Sequence, residues 1–457
     1  MIDEDLIKFF ASSVKDGYYG DIRLSEREGT FLSVENGKVR RTANVKDAGF
    51  GLRVIKNGVC GFVSSNNISK KAIKAALDAA YSKIRVDTGK TRGTTPNPEL
   101  NNVRLDPKWA KDTRSVDIAD KLRLTMDMDR AAIGKDTVAT VSDYRDLVTH
   151  WLIGNNLGAV VSFYESHPQL GIASFVKDGA TTHSIKKTLS GNCGFELFDN
   201  NANSELGRAT KEEAEKLIGA KAARGGKYDV VLDYAMTGVY THEAFGHASE
   251  ADAILAKSSV LENKLGKKVG NDIVTIVDDP TIKLASGSFP FDQEGVAAKK
   301  RIIVDRGVLK EYLHTLETAE TLGLTPNGAA RAMDYASIPL SRMSNTFIAP
   351  GDFSDDIYEG IKCGISLYGF QYGYVETSSG KFMFKSQYGR MIHNGKLAEY
   401  VRDVALTGTT LDILNRIDAI TSDFKLDAGV CGKEGQWVPV TSGGPSIRIR
   451  GVVVGGQ

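Results

Sequence analysis

"YTHEAFGHASEAD", residues 240–252, places two histidines five positions apart around a glutamate. An α-helix turns about 100° per residue, so His242 and His247 would point about 140° apart on a regular helix. A π-type turn, with an i to i+5 hydrogen bond, would instead stack them. The spacing therefore predicts a local helical bulge if the two rings serve one site, and Gly246 is expected to ease that distortion. Upstream, Asp233 or Thr237 is placed to cap the helix, in which Met236, Val239, Tyr240, Glu243, His247, Glu250 and Ile254 fall on one stripe.

Two readings of this helix compete. The plainer one is a Glu243–His247 surface pair worth a few tenths of a kcal/mol. The sharper one follows the logic of HExxH, in which two imidazoles hold a metal ion and the glutamate between them moves a proton. Two nitrogens leave such a site incomplete, because catalytic zinc takes three protein ligands and keeps one open position. By chemistry the third could be Glu250, Asp252, His314, His393 or a cysteine, and periodicity does not choose among them. His314, in a strand-like segment, and His393, beside a turn, read as packed or turn histidines.

Working outward, Asn36-Gly37, Asn57-Gly58, Asp178-Gly179 and Asn394-Gly395 sit between apolar or alternating runs, the signal of tight antiparallel hairpins. Ile73, Ala76, Leu77, Ala80 and Ile84 recur with helical spacing, and Thr210 with Glu213 predicts a capping box ahead of a helix over 214–223. The fold class is α+β and rich in antiparallel sheet. N-terminal α/β-type subdomains are followed by a mainly β C-terminal domain carrying the metal helix. The segment from Asp87 to Pro107 is polar, contains three prolines and reads as a linker. Its Gly89–Thr91 "GKT" lacks the earlier glycine of a phosphate loop, with Ile84 in that place. The expected units are 1–87, the linker 88–107, 108–224, and a catalytic domain over 225–457 that opens after Gly225-Gly226.

Fifty-eight Lys+Arg against fifty-seven Asp+Glu give a net charge of +1, which argues against a nucleic-acid or anionic-membrane partner. No stretch approaches the roughly 20 apolar residues of a membrane span, and the acidic N-terminus does not read as a signal peptide. A soluble, cytoplasmic protein is expected. Cys60, Cys193, Cys363 and Cys431 are far apart and form no CxxC unit, so any functional cysteine acts singly.

The ordered combination of "HEAFGHASEAD", "NGAARA" (327–332) and "CGKEGQWVPV" (431–440) resembles the TldD/PmbA family of metalloproteases, on its metal-bearing TldD-like side. The resemblance implies zinc held by His242, His247 and Cys431, with Glu243 as general base hydrolysing short or unfolded peptides. It also implies a dimer, with an identical chain or with a metal-free paralogue. The continuation "ASEAD" after His247 departs from the Gly-Leu-Glu-Gly-Asp type common in bacterial members, so substrate preference does not carry over. The alternative is a non-catalytic subunit of a protein complex, in which a structural metal or an ion pair holds the helix.

Overall fold

A computed structural model of the chain describes residues 2–86, 98–354 and 356–456. Half of the expected linker, residues 88–97 with the Gly89–Thr91 triplet, lies outside the described residues.

The turn pairs build the first sheet. Asn36 and Gly37 (φ 51° and 72°) join the antiparallel strands Tyr19–Glu35 and Lys38–Lys56, and Asn57 and Gly58 (φ 51° and 74°) join the second to Val59–Ser65. Positive φ at both central residues is what a two-residue turn of this hand requires, and Asn-Gly supplies it at little steric cost. Tyr19–Glu35 also pairs along its length with Thr137–Asn155, from Asp21↔Asn155 to Glu35↔Val141. The other edge of Thr137–Asn155 is divided between Val160–Ser166 and Gln169–Asp178. One eight-stranded sheet thus runs through residues 19–190. Helices Glu4–Ser13 and Lys70–Val86 bury Ile7, Phe10, Ile73 and Leu77 on Leu24, Phe50 and Leu52. Each such side chain contributes about 1.5–3 kcal/mol on leaving water.

One helix differs from expectation. It spans Ala202–Glu215, and the sequence 214–223 instead closes it, turns and enters the short strand Lys221–Ala222. Thr210 is interior to this helix and its hydroxyl donates back to the Leu206 carbonyl at 2.7 Å, so it caps nothing. A threonine satisfied at i−4 is compatible with a helix interior, which a capping-box pattern alone cannot exclude.

The C-terminal half holds two more large sheets. In one, Gly226–Leu232, Cys363–Glu376, Lys381–His393, Ala405–Thr409 and Ile447–Gly455 pair in a closed ring, parallel between the first two and antiparallel elsewhere. The other has six strands and ends in the hairpin Gln436–Gly444 and Lys425–Lys433, the latter at the sheet edge. The helical segment after Leu232 touches both sheets and buries Met236, Tyr240, Ala244, Phe245 and Ala248 in the largest core cluster. Among the described residues no helix is long and apolar enough to cross a membrane.

Candidate metal centre

Asp233 ends the strand and begins the helix. Its Oδ1 accepts the Met236 N–H at 2.9 Å and its Oδ2 accepts the Gly369 N–H at 3.1 Å, anchoring the helix start to the neighbouring strand. One α-helical stretch, Tyr234–Val239, leads into a π-helix over Tyr240–Gly246. The His247 N–H donates to the His242 carbonyl, the i to i+5 bond that the spacing predicts. The two rings stand 5.2 Å apart between centroids with their planes at 84°. A 3-10 turn, His247–Ser249, follows; extended backbone at Glu250 breaks it, and Ala251–Leu255 resumes the helix.

Gly246 does not play the expected part. Its φ and ψ, −58° and −52°, are those of any right-handed helix. What it supplies is room: a Cβ there would lie 1.9 Å from the Met343 sulfur.

Cys431 arrives from the edge hairpin, whose turn residues Glu434 and Gly435 have φ 50° and 77° and which sets Cys431 opposite Val438. Its Sγ lies 3.4 Å from His247 Nε2. Among the described residues, His242, His247 and Cys431 form a group of metal-ligating side chains whose donor atoms all lie within 4.8 Å of one another. His242 and Cys431 are buried. The other two quoted motif segments pack behind them: Arg331 donates to the carbonyls of Met343 (2.9 Å) and Pro439 (2.7 Å), and Gln436 bonds Met333 and Ile338.

Burial pushes the Cys431 thiol up, but the two imidazoles outweigh it and bring it down to about 4. Burial likewise opposes charge on both histidines. The Cys431 sulfur and Glu243 overcome it at His242, and Glu250 and Cys431 overcome it at His247, so both sit above the usual histidine range. The cluster therefore presents a thiolate beside two rings. His242 Nδ1 is buried with no hydrogen-bond partner, a condition that costs about 1–3 kcal/mol if nothing takes its place. One sulfur, two imidazoles and an unsatisfied buried nitrogen fit a divalent ion of the zinc type.

Glu243 stands beside this group, its Oε2 3.8 Å from His247 Nε2 and its side chain 36% exposed. It lines a cleft of about 510 Å³ together with His247, Tyr374 and Lys433. Behind His247, Nδ1 lies 3.0 Å from Glu250 Oε2, and Lys433 Nζ reaches Glu250 (3.0 Å) and Asp252 (2.6 Å). Glu250 and Asp252, ligand candidates by residue type, are thus occupied with a lysine. Lys433 escaped the sequence reading, although it stands two residues from Cys431.

The remaining candidates lie elsewhere. His314 is buried, with Nδ1 3.5 Å from the Thr318 hydroxyl, and burial lowers it to about 4. His393 faces Glu399 at the surface, 3.4 Å away. Burial raises Cys60 to about 11 and Cys193 to about 12, which keeps them thiols, and Cys363 is exposed.

Models of the PmbA/TldA metallopeptidase family match in three parts: domain 1 over residues 20–83, the central domain over 111–224 and the C-terminal domain over 225–456. The chain belongs to this family of metallopeptidases. Among its relatives, a metalloprotease of Methanothermobacter thermautotrophicus is 37% identical over 100% of this chain and 99% of its own length. A zinc metalloprotease TldD homologue of Saccharolobus solfataricus is 30% identical over 90% of each chain. The fold is shared with a crystal structure from Thermotoga maritima (TM-score 0.81, 23% identity, 99% of this chain and 100% of that one). It is shared also with TldE from Thermococcus kodakarensis (TM-score 0.79, 16% identity, 99% of each chain).

Proposed function

We propose that the chain is a zinc peptidase in which His242, His247 and Cys431 hold the ion and Glu243 is the general base. The observation that carries this reading is the meeting of three donors, His242 and Cys431 buried and His247 half-buried, with a glutamate that opens onto a cleft. When bound, the ion supplies Lewis-acid polarisation of a peptide carbonyl and acidifies water. Glu243 takes the proton of the attacking water on a carboxylate oxygen and returns it to the departing amine. Glu250 accepts from His247 Nδ1, which fixes the tautomer and leaves Nε2 free to ligate.

The strand Lys425–Lys433 suits an extended substrate. It is an edge strand, and its two-residue turn makes Lys433↔Gln436 a hydrogen-bonded pair, so the backbone groups of Val430 and Gly432 face away from the sheet on either side of Cys431. A short or unfolded peptide aligning there would be held mainly by main-chain bonds, with broad side-chain tolerance.

Glu243→Gln separates this reading from a structural metal site. The expected variant keeps the metal content of the wild type by elemental analysis and loses cleavage of an unfolded polypeptide; undiminished cleavage would remove Glu243 from its role. Stripping the ion with a chelator is expected to abolish cleavage and zinc to restore it. Activity indifferent to both treatments would leave the ion, if bound, a structural part.

A further inference from the structure

A second cavity, of about 280 Å³, lies between the N-terminal sheet and the Cys431 hairpin. Trp151 and Glu165 line it from the sheet, and Gln293, Arg331 and Val430 from the C-terminal half. Val430 and Cys431 are neighbours on one strand and so point to opposite faces. The cavity and the candidate metal centre therefore share that strand as a wall.

Two of its residues are charged, deeply buried and without an ion-pair partner among the described residues. Glu165 is 7% exposed and Arg331 3%. Glu165 accepts the Trp151 indole N–H on Oε2 at 2.7 Å. Arg331 gives Nη1 to the carbonyls of Met343 and Pro439, and its Nε is buried without a partner. Burial is the main influence on both: it raises Glu165 above the usual carboxylate range and brings Arg331 down to about 10, so the guanidinium stays charged at neutral pH. The two sense each other's charge, yet no ion pair joins them. Gln293, 2% exposed, spends Oε1 on the Ala332 N–H at 3.3 Å and borders the same space.

Opposite charges buried around one void and joined by no ion pair keep much of their desolvation cost unless something bridges them. Water satisfies hydrogen bonds but brings no charge. A zwitterion brings both charges at the separation of two bonds around one carbon. We infer that this cavity binds a free α-amino acid with an apolar side chain, its ammonium on Glu165, its carboxylate on Arg331 and the Gln293 amide, and its side chain among Trp151 and Val430. The volume suits one residue and excludes a folded peptide.

The test is calorimetric titration of the metal-stripped full chain, so that chelation at the histidine–cysteine group adds nothing. L-leucine and L-phenylalanine are compared with N-acetyl-L-leucine and L-leucinamide. Saturable binding of a free amino acid is expected, weakened roughly tenfold or more by capping either end, since each cap removes a charge-assisted hydrogen bond. Glu165→Gln keeps the Trp151 acceptor and is expected to weaken L-leucine as much, while no longer discriminating against the acetylated form. Val430→Trp, on an exposed strand edge, fills the void and is expected to abolish binding in a chain whose melting temperature matches the wild type. Absence of saturable heat with all four compounds, equal binding of free and capped forms, or binding indifferent to both substitutions would overturn the assignment.

Discussion

Arg342, fully buried, donates from Nη2 to the carbonyl oxygen of Cys431 at 2.6 Å. Its Nη1 reaches the Gln436 carbonyl across the same hairpin at 3.4 Å. A guanidinium thus fixes the backbone from which the sulfur hangs. Arg342→Leu strips two buried carbonyls of a charged donor and is expected to destabilise the chain by about 3 kcal/mol in urea unfolding. Zinc affinity is expected to fall roughly tenfold as Cys431 loses its setting. An unfolding midpoint and zinc affinity like those of the wild type would show that the strand needs no such clamp.

Glu250 is expected to act on metal retention without touching the ion. Glu250→Gln preserves shape but weakens the acceptor for His247 Nδ1 and leaves Asp252 as the one carboxylate on Lys433, beside the Ser341 carbonyl. Loss of a carboxylate behind a ligating histidine typically lowers affinity 10–100-fold, by order of magnitude. Competition with a chromophoric chelator measures it, and an unchanged dissociation constant would assign Glu250 to Lys433 only.

Gly246→Ala sets two effects against each other. Helix propensity favours alanine by about 1 kcal/mol, whereas the new Cβ would meet the Met343 sulfur at 1.9 Å. Overpacking in a full core costs about 1–3 kcal/mol, so net destabilisation is expected. Met343→Ala in the same chain is expected to recover part of it, a coupling that a double-mutant cycle reads directly.

His314 gives the protein an acid-sensitive component. Burial holds its folded-state pKa at about 4, below the ordinary 6.5. A depressed value means the unfolded chain binds the proton more readily, so stability present above about pH 6.5 is lost as pH falls towards the folded value. The loss reaches about 2 kcal/mol by roughly pH 5. His314→Gln is expected to flatten the pH dependence of unfolding free energy across that window; curves that stay parallel would place the sensitivity elsewhere.

Local chemistry was the legible part of this chain. Asn36-Gly37 and Asn57-Gly58 declared their hairpins, because the φ values those turns need are ones few residues accept. The five-residue gap between His242 and His247 pointed to a π turn once both rings were assigned to one site, and the i to i+5 bond is there. The third ligand candidate, Cys431, is 184 residues from His247, a separation no periodicity spans, and it entered by resemblance. The helix Ala202–Glu215 was misplaced because a threonine–glutamate pair reads alike at a start and in an interior. The Glu250–Lys433–Asp252 cluster stayed hidden because it assembles from two distant segments whose charges, taken singly, look like ordinary surface.

The long strand Thr137–Asn155 has a consequence for how the molecule can be taken apart. Its bonds to Tyr19–Glu35 make residues 2–86 one side of a zip rather than a free-standing piece. Expressed alone, that piece would bare an unprotected strand ready to pair with any other chain. Produced together with residues 98–456, it is expected to purify as a complementing pair, held by backbone alignment instead of a peptide bond.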